Sequence, residues 1–78
     1  MYYKYDKYYE HVGILFIRPN KDDSNQYDLF INDKHINTYA TAEGAAKAVA
    51  DHKTGETTWD ILTGPANPLS LDEWTKVS

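Results

Sequence analysis

Tyr27-Asp28-Leu29-Phe30-Ile31-Asn32-Asp33-Lys34-His35-Ile36-Asn37-Thr38-Tyr39 is the stretch on which the fold turns. Two runs rich in β-branched and aromatic residues flank Asn32-Asp33-Lys34. Both Asn and Asp tolerate the positive φ that a tight hairpin turn demands. With a two-residue turn at Asn32-Asp33, Leu29 faces Ile36 and Phe30 faces His35. That register sets Tyr27, Leu29, Ile31, Ile36 and Thr38 on one face of the hairpin, and Phe30, His35 and Tyr39 on the other.

Upstream, residues 19–26 (PNKDDSNQ) are a loop, because Pro, Asn, Asp and Ser favour local turns over regular structure. Before it runs Val12-Gly13-Ile14-Leu15-Phe16-Ile17, closed by Arg18-Pro19-Asn20. This reads as a strand that Pro19 ends, since proline has no N–H for the ladder. Its two apolar sides suit a central strand covered on both faces. Residues 1–11 (MYYKYDKYYEH) form a tyrosine-rich N-terminal segment. Tyr2, Tyr5 and Tyr9 share a helical face and Tyr3 and Tyr5 share a strand face, so periodicity does not choose between them.

Downstream, Thr41 is placed to cap a helix with Glu43 in its first turn, where the helix dipole favours an acid. Ala42, Ala45, Ala46, Val49 and Ala50 give it a thin apolar stripe. His52 and Lys53 are expected in the last turn, with Gly55 as the left-handed stop. Trp59, Ile61 and Leu62 then form a short strand or an irregular plug, before the breaker Thr63-Gly64-Pro65-Ala66-Asn67-Pro68. Ser70 and Glu73 have capping-box spacing, with Leu69 and Trp74 at the staple positions, which predicts a C-terminal helical turn docked by its tryptophan. Trp59 and Trp74 are both expected in the core.

Composition narrows the function classes. Seventy-eight residues hold one core and one domain, here residues 1–78, with a β-β-β-α unit and C-terminal extension from residue 12 onward. Cysteine is absent, which excludes disulfides and thiolate chemistry. Eight basic against 12 acidic residues give a net charge of −4, a field that repels phosphate backbones and makes nucleic acid an improbable partner. The chain has no long apolar run and no apolar N-terminal segment, so a cytoplasmic location and no membrane association are expected. His11, His35 and His52 fall in three separate elements without metal-ligand spacing. The serines sit in a loop, at a cap and at the end of the chain, and the four glycines are scattered. These patterns predict no catalytic residues, no metal and no cofactor.

The series from Tyr27-Asp28-Leu29-Phe30-Ile31 through Thr54-Gly55 to Trp59-Asp60, with a later proline and Trp74, resembles a group of small uncharacterised bacterial proteins. Their pattern is a hairpin, an alanine-rich helix, TG, then WD. The resemblance spans residues 27–76 and implies the fold, with no activity to transfer. The order β-β-β-α is also similar to the second half of double-stranded-RNA-binding domains. The lysine cluster that opens the last helix in that family is missing at Thr41-Ala42-Glu43-Gly44, so RNA binding is not implied.

The sequence thus predicts an α+β domain: a three-stranded antiparallel sheet with one main helix on a face and a short C-terminal helical turn. Because one helix covers one side, the other is expected to be covered either by the tyrosine-rich N-terminus or by another chain, with a protein partner or a second copy in a homodimer the favoured occupant. The expected contacts are Phe30, His35 and Tyr39, with Tyr8 and Tyr9 at the margin. The function expected is that of a non-enzymatic protein-binding or self-associating module. The alternative is a phage or mobile-element accessory protein that inhibits a host defence or nucleic-acid enzyme.

Overall fold

A computed structural model describes residues 1–5, 13–61 and 70–77. Its strands are β1 (Tyr2–Tyr5), β2 (Leu15–Pro19), β3 (Tyr27–Ile31), β4 (Lys34–Tyr39) and β5 (Thr75–Val77). Its helices are α1 (Ala42–Ala50) and α2 (Thr57–Asp60), with a 3-10 turn at Leu71–Glu73. The strands form one antiparallel sheet in the order β4-β3-β2-β1-β5. The α+β class and the single main helix match the reading of the sequence, but the sheet has five strands where three were expected. The two additional strands come from the ends of the described chain. The tyrosine-rich start pairs with β2, and the residues after Trp74 pair with β1 on its free side.

The hairpin turn forms where expected, with Asn32 at φ 55 and Ile31 opposite Lys34. Phe30 then faces His35, as the two-residue turn requires. Beyond that pair the register breaks: Leu29 faces Asn37, and Ile36 is an extra residue on β4. This is a β-bulge, which leaves one residue unpaired and reverses the face of every residue after it. Tyr39 therefore lies opposite Tyr27 on the core side, and Thr38 lies opposite Asp28 on the other side, reversing the expected faces of both. Ile36 still packs against the core, while Asn37, which strict alternation would have turned outward, comes opposite Leu29.

Gly13 and Asn32 fasten the entry of β2 to this turn. Ile14 donates its amide to Asn32 Oδ1 at 3.0 Å, and Asn32 returns its own amide to the Ile14 carbonyl at 2.8 Å. Gly13 has φ 109, and a Cβ there would fall inside the Asn32 carboxamide, so both conformation and space require glycine.

α1 begins as read, with Thr41 Oγ1 accepting the Gly44 amide at 2.9 Å. It ends earlier than expected, at Ala50. His52 takes the left-handed position (φ 55), while Lys53 donates to the Ala48 carbonyl and His52 to that of Val49. These two bonds are the Schellman pattern, with histidine where glycine is usual. Gly55, also left-handed, shapes the loop that follows rather than the helix stop. Ala42, Ala45, Ala46 and Val49 bring α1 close against Leu15, Ile17, Leu29 and Ile31.

Trp59 stands on α2, neither in a strand nor in an irregular segment. Its indole is 1 % exposed and donates Nε1 to the Val49 carbonyl at 2.9 Å, satisfying a helix-end acceptor within the core. Ile61 caps α2 and is exposed. Leu62 and Leu69 lie outside the described residues. Trp74 is buried against the Tyr5 ring at 5.6 Å, as its docking role predicts. The capping box does not form: Glu73 donates its amide to the Ser70 carbonyl, and the Ser70 hydroxyl makes no cap bond.

The Thr54-Gly55…Trp59-Asp60 pattern has a local physical cause. The Asp60 carboxylate accepts from the Thr54 amide and hydroxyl and from the Gly55 amide, at 3.0, 2.8 and 2.9 Å. This clamp fixes the short helix that carries Trp59. His52 stacks on the Trp59 ring at 5.1 Å and 11° and closes the plug from outside.

Candidate functional site

The side of the sheet away from α1 is built from two cross-strand rows. Tyr3 pairs with Ile17 and Lys4 with Phe16, so one row reads Val77, Tyr2, Arg18, Asp28, Thr38 from β5 to β4. The adjacent row reads Thr75, Lys4, Phe16, Phe30, His35. Among the described residues no helix or strand lies over these rows.

Arg18 organises the face. Its guanidinium carbon lies 4.5 Å from the Phe16 ring centroid, 5.1 Å from Phe30 and 5.6 Å from Tyr2. Guanidinium over aromatic faces is a favourable arrangement that keeps the charge and leaves the in-plane N–H donors open. Among the described residues no carboxylate lies within ion-pair reach of Arg18, although Asp28 is its cross-strand neighbour.

Asp28 is committed elsewhere. Thr38 Oγ1 donates to its Oδ1 at 2.6 Å, and Asn20 Nδ2 reaches both oxygens at 3.1 and 3.2 Å. His35 Nε2 stands 3.3 Å from Oδ1 and 3.2 Å from Thr38 Oγ1. Because the Thr38 proton points at the carboxylate, its lone pair is free to accept from His35 Nε2–H. Burial opposes the Asp28 charge, but the bonds from Thr38, Asn20 and His35, with the His35 charge, outweigh it and hold the pKa below its ordinary value. The arrangement satisfies a buried acid.

Between the β2–β3 loop and this cluster lies a depression of about 470 Å³, lined by Arg18, Pro19, Asn20, Lys21, Asp22, Asp28, Phe30 and His35. The loop is held in shape by Asn20 Oδ1, which accepts the Asp22 and Asp23 amides at 2.8 and 2.9 Å. Asp23 repeats the motif with the Asn25 amide at 2.9 Å.

The expected contact residues divide. Phe30 and His35 do share this face, their rings edge-on at 5.4 Å and 78°. Tyr39 is on the opposite side, half-buried against the core. Its hydroxyl has no hydrogen-bond partner among the described residues, and burial, with the Asp60 charge second, raises its pKa. Tyr8 and Tyr9 lie outside the described residues. The reading missed Arg18, Phe16 and Tyr2. The signal was present in the two-residue alternation Phe16/Arg18 beside Phe30/Asp28, but the run was read as apolar on both sides with Arg18 only as its end.

Among the described residues no group of three His, Asp or Glu side chains is gathered as metal ligands, and no helix is long and apolar enough to cross a membrane. No family model, curated protein or solved structure matches the chain.

Proposed function

We propose that this domain is a non-enzymatic protein-binding module that docks a different protein chain on the sheet face opposite α1. The observation that carries the reading is the Arg18 platform: one guanidinium resting on Phe16, Phe30 and Tyr2 without a carboxylate partner among the described residues. Aromatic residues and arginine are the side chains most enriched at protein interfaces. A second copy is the poorer occupant. The acid beside Arg18 in its own row, Asp28, is committed to Thr38 and Asn20, so a second copy would offer the Arg18 guanidinium no open carboxylate from that row. Nucleic acid is disfavoured by the net charge of −4 around a face with few cations.

The test is selection of random peptides displayed on phage against the purified chain, repeated with Phe30→Asp, alongside sedimentation velocity. Enriched peptides that the folded variant no longer retains support the reading. Equal retention by both proteins, or no enrichment at all, overturns it. So does a dimer that Phe30→Asp disperses, because a second copy would then occupy the face.

A further inference from the structure

The depression beside Phe30 has a composition that a generic contact surface does not need. Arg18 brings a guanidinium whose carbon lies 4.5 to 5.6 Å from three ring centroids, and these contacts restrict its side chain before any partner arrives. Lys21 enters from the loop that Asn20 fixes, and His35 from β4. Two acids border the same space. Asp28 is turned into its own bonds with Thr38 and Asn20, which leaves its charge compensated locally. Asp22 is exposed on the loop. Among the described residues Arg18 and Lys21 have no carboxylate within ion-pair reach, and of the two it is Arg18 that is set against the apolar ring of Phe30.

From this we infer that the depression is a carboxylate-receiving subsite, which takes an Asp or Glu side chain of the docked protein with a neighbouring apolar or aromatic residue laid on Phe16 and Phe30. The inference rests on the protein-binding reading and adds the chemistry of the ligand. The fork of a guanidinium accepts a carboxylate in two parallel hydrogen bonds, which a lysine at the same place could not reproduce. Arg18 lines the depression, so a carboxylate that enters it comes within reach of the guanidinium. One carboxylate suffices for one arginine. A polyphosphate chain needs a succession of cations that this face does not offer.

The experiment uses two small probes that differ only in charge, acetyl-Trp-Glu-amide and acetyl-Trp-Gln-amide, with an oligothymidylate as the nucleic-acid arm. Binding is followed in amide, Arg side-chain Nε–Hε and aromatic NMR correlation spectra of the full chain. The Glu probe is expected to shift the Arg18 Nε–Hε resonance and the Phe16 and Phe30 ring signals, and to bind roughly fivefold tighter than the Gln probe, the scale of one partly exposed ion pair. That advantage should vanish in Arg18→Gln and remain incomplete in Arg18→Lys, while the melting curves of both variants stay cooperative. If the two probes bind equally and move the same rings, the carboxylate subsite is wrong and the docking face stands. If the oligothymidylate moves those rings at lower concentration than either probe, or no probe moves them at millimolar concentration, the subsite and the docking face both fall.

Discussion

The two sides of one sheet follow different rules. Toward α1, Leu15, Ile17 and Leu29 are at most 2 % exposed and pack into one apolar cluster with the alanine face of α1, Val49 and Trp59. Away from α1, the residues immediately next to them in sequence (Phe16, Arg18 and Phe30) stay half-buried and mix charge with aromatic surface. Alternation along a strand makes this contrast possible, because residues two apart share a face and adjacent ones do not. On the proposed reading, β2 and β3 would serve stability with one set of side chains and recognition with the other. Each set can then be altered with little effect on the other.

The largest expected effects break the closed side. Trp59→Ala removes the plug between α1 and α2 and one of the two donors to the Val49 carbonyl, and should cost ~3–5 kcal/mol. Against a total of ~5–15 kcal/mol for a typical domain, the variant should be unfolded or close to it. Ile17→Ala, fully buried in the middle strand, should cost ~2–5 kcal/mol by the same mechanism. Urea denaturation followed by tryptophan fluorescence and circular dichroism measures both. A Trp59→Ala protein with an unchanged midpoint would show that α2 does not belong to the core.

Next in size is Gly13→Ala, where the entry of β2 meets the hairpin turn. The new Cβ meets the Asn32 carboxamide at a φ that L-residues rarely adopt, and the strain should be ~1–3 kcal/mol. The double variant Gly13→Ala, Asn32→Gly should recover part of that loss by removing the collision. Recovery in urea midpoints separates the collision from the backbone strain, which the double variant retains.

These effects show where the sequence was readable. The hairpin turn, the Thr41 cap and the burial of Trp59 and Trp74 each follow from residues within a few positions of one another, and all were legible. The strand β1 was not, because five tyrosines in eleven residues satisfy helical and strand spacing alike. Only pairing with the distant β2 decides between them. β5 is three residues, Thr-Lys-Val, with no pattern of its own. The bulge at Ile36 also left no local mark. Since it reverses the faces of Thr38 and Tyr39, it removed Tyr39 from the expected contact surface, whereas Phe30 and His35, before the bulge, stayed where the turn put them. Arg18 became central only when the register of three strands was known.

A smaller effect is expected from Asp28, a buried acid on the open face. Its folded pKa lies below the ordinary value of 3.8, so its charge stabilises the native state above that value. The contribution is lost as the pH falls through the folded pKa. Asp28→Asn keeps the shape but turns one acceptor into a donor facing Asn20 Nδ2, and should cost about 1 kcal/mol at neutral pH. The gap between wild type and variant should then narrow as the pH is lowered below about 4. Urea midpoints across an acid series measure it. A gap independent of pH would mean that the carboxylate charge is not what the cluster holds.

The smallest effect on stability is expected at Arg18, and it sharpens the comparison most because Ile17 is its neighbour in the chain. Arg18→Gln removes the guanidinium from three rings without opening a cavity in the core. A cation–π contact at a partly exposed site is worth ~0.5–1 kcal/mol, and three rings sharing one cation do not add in full. The urea midpoint should therefore fall by the equivalent of about 1 kcal/mol or less, several times less than for Ile17→Ala one residue away. The free energy that fixes the fold and the groups that would hold a partner would then be divided between opposite sides of the same strand. A loss at Arg18 as large as that at Ile17 would carry the opposite meaning. The guanidinium and its rings would then be packed under another part of this chain, and the face would be interior rather than a docking surface.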